Sequence, residues 1–142
     1  MICYFDTSAF VPLLIAEPGS PFCRRLWDEA DDVVTTRMLY AEAAAALAQA
    51  RRLERLTEPK HQAALHILDR MWADFDIVEV SDQLVHRAAQ LARTCALRGY
   101  DAVHCASAEQ VNDDDLVVAS GDRRVLDSCA TLGLATADTN GA

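Results

Sequence analysis

Short apolar runs alternate with longer helical stretches along nearly the whole chain. A run too short for a buried helix and closed by turn residues reads as a buried strand. Strands separated by helices pair in parallel, because a crossover helix returns the chain to the same edge of the sheet. Residues 2–5 (ICYF) are the first such run, and 33–35, 77–80, 116–119 and 134–136 follow. Between them the sequence predicts a short helix over 8–16, closed by the Glu17-Pro18-Gly19 turn. A helix over 20–30 comes next, with Ser20 as cap and Pro21 at its first position, then a long Ala-, Leu-, Glu- and Arg-rich helix over 37–56. Further helices are predicted over 57–72, from 81 or 82 to 98 with Gly99 as the stop, over 101–111, and over 122–130. The expectation is an α/β three-layer sandwich with a central parallel sheet of about five strands flanked by helices. It forms one domain over residues 1–136, followed by a flexible polar tail over 137–142.

With 142 residues, 51% of them hydrophobic, the chain can bury a full core without staples. The five cysteines (Cys3, Cys23, Cys95, Cys105, Cys129) form no C-x-x-C pair and sit among apolar neighbours. They read as small core hydrophobes in a reducing compartment. No apolar run approaches the roughly 20 residues of a membrane-spanning helix. The apolar start of the chain has no basic residues and is interrupted by Asp6, so it does not read as a signal peptide, and a cytoplasmic location is expected. The net charge of −9 is poorly suited to gripping nucleic acid by broad attraction, which argues against a simple RNA-binding module. It argues less against a nuclease whose carboxylates are covered by divalent cations.

In open parallel sheets, ligands bind outside the carboxyl ends of the strands, near the point where strand order reverses. Asp6 directly follows the first run, and Asp122 follows the fourth after Ser120-Gly121. Each also reads as an ordinary helix N-cap. Glu42 is the only ionisable group in MLYAEAAAALA, and no basic residue stands three or four positions away to pair with it. It lies about 60° off Leu39, at the edge of the apolar helix face, where a carboxylate must raise its pKa or find a cation. Asp101 heads a helix of small apolar residues. Clustered carboxylates repel by several kcal/mol per close pair at intermediate dielectric, so gathering four of them requires cations between them. An all-oxygen ligand set favours Mg²⁺ or Mn²⁺.

Around these acids, His104 stands one turn after Asp101 and reads as a satisfied structural residue or a substrate contact. Arg123 and Arg124 flank Asp122 and could contact phosphate or lie on the helix surface. Arg51, Arg52 and Arg55 form a basic spot, with Glu54 and Glu58 near enough to make it a surface ion-pair cluster. Trp27, Trp72 and Phe75 read as core or interface fillers. A response-regulator receiver would need a lysine late in the fold, and the one lysine is Lys60 in mid-chain. A haloacid-dehalogenase-type phosphatase would need a second Asp two residues after the first, where this chain has Ser8. A non-catalytic, acidic metal-binding interaction module is the alternative from another class.

DTSAF, the helix with YAEAAAAL, then GYDAVHCASA and SGDRRVL occur in an order and spacing that resembles the PIN domain, and more narrowly the VapC toxins of bacterial toxin–antitoxin pairs. The resemblance implies a five-stranded parallel sheet and a Mg²⁺- or Mn²⁺-dependent endoribonuclease acting on RNA. It also implies a homodimer and a small VapB-like antitoxin whose tail blocks the site. The family's acidic quartet, catalytic and metal-binding, falls on Asp6, Glu42, Asp101 and Asp122. The hydroxyls after the first acid fall on Thr7 and Ser8, and the hydroxyl before the last falls on Ser120. Ser8, Ser120, Arg123 and Arg124 are the expected substrate contacts.

Overall fold

The computed structural model describes residues 1–141. Its five strands are all parallel, in the order β3-β2-β1-β4-β5. β1 (Ile2–Phe5) lies at the centre, paired with β2 (Asp32–Thr36) on one side and β4 (Leu116–Ser120) on the other. β3 (Asp76–Val78) and β5 (Ala135–Asp138) form the edges. The first crossovers build the sheet outward from β1 through β2 to β3, and the chain then returns to β1's other side to add β4 and β5. Strand order therefore reverses between β1 and β4, and a crevice opens at their carboxyl ends.

The period-2 alternation of β1 separates two cores. Cys3 and Phe5 face the layer that contains α1 (Thr7–Phe10), α2 (Ser20–Glu29), α3 (Leu39–Arg52) and α4 (Glu58–Trp72). Tyr4 faces the other layer, with α5 (Asp82–Cys95), α6 (Gly99–Val111) and α7 (Arg123–Thr131). Three layers result, as expected, and no helix among the described residues is long and apolar enough to cross a membrane.

The boundaries differ in informative places. The expected 8–16 helix is one turn of α1 and a 3-10 turn over Val11–Leu13, since Pro12 has no N–H to extend an α-helical ladder. The expected 37–56 helix is trimmed to α3, and Glu54 just beyond adopts φ 62°. Gly99 is not a stop. α5 ends at Ala96, which takes the left-handed conformation itself (φ 54°), and Gly99 opens α6. Asp101 consequently sits inside the first turn of α6 rather than at its cap.

The expected tail from 137 begins within the sheet. Ala137 and Asp138 pair with Ala119 and Ser120, and the Thr139 N–H donates to the Ser120 carbonyl at 3.0 Å. Asn140 Nδ2 donates to the Gly121 carbonyl at 2.8 Å, so this polar segment closes over the β4–α7 turn. A side chain at Gly121 would meet Thr139 Oγ1 at 3.0 Å, which is why glycine serves there. Position 142 lies outside the described residues.

Candidate active site

A cavity of roughly 460 Å³ opens at the carboxyl ends of β1 and β4, and Asp6, Glu42, Asp101 and Asp122 all line it. Four acids separated by as many as 116 positions thus reach one crevice, each for a local reason.

Asp6 is fixed first by the sheet: its N–H donates to the Ala119 carbonyl at 3.3 Å, continuing the β1–β4 ladder for one more residue. Its carboxylate caps α1, with Oδ1 accepting from the Ala9 N–H at 3.0 Å and from Ser8 Oγ at 2.7 Å. Oδ2 accepts from Ser120 Oγ at 2.5 Å. The cap reading holds, and the cap uses only one face of the carboxylate. Asp6 is only 3% exposed, and its three hydrogen-bond partners are neutral. Burial pushes its carboxyl above the ordinary value, against the lowering influence of His104, the two serines and the Ala9 amide.

Ser8 and Ser120 lace the two strand ends together. Ser8 Oγ accepts from the Gly121 N–H at 2.8 Å, and Ser120 Oγ accepts from the Asp122 N–H at 3.0 Å. Ser8 borders the cavity, whereas Ser120 is fully buried behind Asp6 and does not line it. Both hydroxyls give their protons to Asp6 and are positioned to hold that carboxylate.

Glu42 lies in the first turn of α3, at the apolar edge its spacing indicates, and it does not point away into solvent. Its Oε1 accepts from Thr7 Oγ1 at 3.0 Å and lies 2.8 Å from His104 Nε2. The partner absent from its own helix is supplied by a histidine from α6. His104 is buried, and its Nδ1 lies 2.8 Å from the hydroxyl of Tyr4, which is also buried.

Asp101 and Asp122 form the outer wall. Asp122 caps α7, its Oδ1 accepting from the Arg124 N–H at 2.8 Å and from the Val125 N–H at 3.4 Å. Arg98, at the N-cap position of α6, spans the two acids. Its Nε donates to Asp101 at 2.9 Å, and its Nη2 lies 3.6 Å from Asp122. It is the only Lys or Arg among the described residues lining the cavity.

Arg123 and Arg124 do not line it. Arg123 turns away to Asp138 (2.5 Å) and Asp127 (3.5 Å), because the first positions of a helix whose cap faces the cavity project outward. Arg51 pairs with Glu58 at 3.1 Å, as in the surface ion-pair reading. Glu17, Arg98, Tyr4 and the Thr139–Asn140 wall are among the site-forming residues that the sequence reading did not single out. For Arg98 a signal existed, the Arg-x-x-Asp spacing of a helical first turn.

The donor set suits a hard divalent cation: carboxylate oxygens, one of them buried without a positive partner at hydrogen-bonding distance. Among the described residues, no three His, Cys, Asp or Glu side chains are gathered tightly enough to hold one ion unaided. An ion here would keep water in part of its shell, as Mg²⁺ does. With that condition the residues fit the group.

Comparison with known proteins agrees with this geometry. Residues 3–130 match the family model described as "PIN domain". The chain is 46% identical over 124 residues to Ribonuclease VapC49 of Mycobacterium tuberculosis (strain H37Rv), covering 87% of this chain and 86% of the relative. Among solved structures, FitAcB from Neisseria gonorrhoeae superposes with a TM-score of 0.73 at 20% identity, over the whole of both chains. VapBC2 from Rickettsia felis, bound to a DNA fragment from their promoter, superposes with a TM-score of 0.67 at 14% identity, covering 97% of this chain and 98% of that one.

Proposed function

The chain belongs to the PIN-domain family, and on that premise we propose that Asp6, Glu42, Asp101 and Asp122 hold the divalent cations of a VapC-type endoribonuclease. The chain is a ribonuclease, hydrolysing RNA phosphodiester bonds. Mg²⁺ is the cation we favour, with Mn²⁺ as its usual substitute. A single observation carries the reading: Asp6 is buried at the reversal point of the sheet with only neutral hydrogen-bond partners, in a cavity it shares with Glu42, Asp101 and Asp122, and with Glu17 on the rim. Folding tolerates that arrangement most easily when a cation is to enter.

A divalent cation bound there would supply Lewis-acid chemistry to the phosphodiester and its attacking water. The protein's own residues do the rest. Ser8, Ser120 and the Ala9 amide orient the Asp6 carboxylate. Thr7 Oγ1 donates to that of Glu42. Arg98 is the guanidinium placed to neutralise phosphate charge at the mouth, a task its planar fork suits. The walls from Thr139 and Asn140 narrow access on one side. Restraint by a small VapB-like antitoxin, assembly as a homodimer and a cytoplasmic location where RNA is met belong to the same reading.

The test is cleavage of ribosomal and transfer RNA with Mg²⁺, Mn²⁺ or EDTA, comparing wild type with Asp6→Asn. Cleavage that needs metal and is lost in Asp6→Asn is the expected result. Cleavage unaffected by EDTA and by the substitution would remove the acids from catalysis. No cleavage by either protein would leave a metal-binding interaction module.

A further inference from the structure

Glu42 and His104 belong to opposite layers of the sandwich, on α3 and α6, and meet across the carboxyl edge of the sheet. Tyr4, in the central strand, stands behind the imidazole, its ring edge-on to it at 5.8 Å and 80°. From this relay we propose that His104, backed by Tyr4, is the positioning residue that orients Glu42 toward a cation in the cavity. The inference rests on the metal-binding reading given above.

The direction of the hydrogen bonds follows from the donors available. A phenol is protonated at neutral pH, and a carboxylate can only accept. If His104 carried its single proton on Nδ1, the Nε2 lone pair would face Glu42 Oε1 at 2.8 Å, acceptor against acceptor. Nε2–H therefore donates to Glu42, and in the singly protonated imidazole the Tyr4 hydroxyl donates to Nδ1. Thr7 Oγ1 adds a second donor to the same oxygen, Oε1, and itself lies 3.2 Å from Nε2. Glu42 Oε2 makes no hydrogen bond among the described residues. One carboxylate oxygen is held by two donors, and the other is left for a ligand. Ligating carboxylates are held in this way, and loss of such a supporting group typically weakens metal affinity about ten- to a hundredfold.

Burial of His104 also contributes to stability, so the test must separate holding Glu42 from filling the core. His104→Gln and His104→Asn do this. Glutamine's amide extends to about where Nε2 lies and can donate to Glu42, whereas asparagine's reaches only the Nδ1 position near Tyr4. Mn²⁺ affinity of the RNA-free protein is measured by titration calorimetry, beside RNA cleavage and metal-free melting temperature. His104→Asn should bind Mn²⁺ about tenfold more weakly than wild type and cleave correspondingly slowly. His104→Gln should recover most of both, although the two variants melt at similar temperatures. Tyr4→Phe should fall between wild type and His104→Asn. Equal Mn²⁺ affinity in wild type, His104→Gln and His104→Asn, with wild type binding and cleaving normally, would overturn the role of His104 alone. A wild type that neither binds Mn²⁺ nor cleaves RNA would overturn this role together with the reading it rests on.

Discussion

The cavity has two halves built on different principles. The inner half, Asp6 and Glu42, is held by hydroxyls, an amide and a buried imidazole, on groups locked by the sheet and the two cores. The outer half, Asp101 and Asp122, is bridged by a guanidinium that is 76% exposed. Hydroxyl and amide donors orient the Asp6 carboxylate without cancelling its charge, so the inner half is pre-positioned. An exposed ion pair holds geometry loosely and is readily exchanged. The inner half should therefore govern whether a cation binds, and the outer half how the charge of RNA is received.

The strongest attempt to break this division is Asp6→Asn. It changes one oxygen for nitrogen and can keep the helix cap through the other. RNA cleavage should nevertheless drop about a thousandfold or more, because losing a cation forfeits several kcal/mol of transition-state stabilisation. Asp122→Asn, in the outer half, should cost less. Equal losses in a cleavage assay would erase the distinction.

Ser120→Ala tests the neutral scaffold itself. The substitution strands Asp6 Oδ2, buried in the seam between β1 and β4, together with the half-buried Asp122 N–H. Leaving buried polar groups unpaired costs about 1–3 kcal/mol, so chemical denaturation should show a loss in that range. An exposed serine elsewhere would cost far less, and a negligible loss at Ser120 would show that the seam is wet or adaptable.

The inner half also carries a stability signature of opposite sign. Burial raises the Asp6 pKa in the folded protein. The unfolded chain then ionises first as pH rises, the folded protein holds its proton longer, and stability falls across the interval between the two values. Metal-free Asp6→Asn lacks this penalty. Its melting temperature should match that of wild type in acid and exceed it by a few degrees at neutral pH, with Mg²⁺ narrowing the gap. A wild type that stays the more stable at neutral pH without metal would show that Asp6 is adequately solvated.

How much of this was legible beforehand depends on range. The strand order was not, but the placement of Asp6 and Asp122 after strands was, because apolar period and turn residues are local signals. Glu42 stood out for want of a partner on its own helix. Its real partner, His104, is 62 positions away, and no local pattern announces such a pair. The outer half was read less well for a concrete reason. Ala96 takes a left-handed conformation that normally signals glycine, so the end of α5 was placed at Gly99 and Arg98 was assigned to the wrong helix. Arg123 and Arg124 attracted attention by adjacency to Asp122, yet a helix cap sends its side chain one way and the following residues another. The polar composition of residues 137–140 concealed a strand end that pairs through backbone groups alone.

Arg98 is where the smallest effect is expected and where the comparison is sharpened most. It bridges Asp101 and Asp122, where a second cation or a phosphate would compete with it. If it only competes with cations, Arg98→Ala should bind Mn²⁺ about threefold more tightly and cleave RNA at least as well. If it receives phosphate, the same variant should show a KM for RNA raised about threefold with kcat little changed, and a shallower dependence of KM on salt, since one fewer positive charge meets the backbone. Its exposure favours the second outcome: the side chain can swing from the acids to RNA without disturbing the core, and no other Lys or Arg among the described residues lines the cavity to do so. The measurement is KM for RNA in wild type and variant at two salt concentrations. Unchanged KM and salt slope, with tighter Mn²⁺ binding, would make Arg98 a guard of the empty site rather than a contact for substrate.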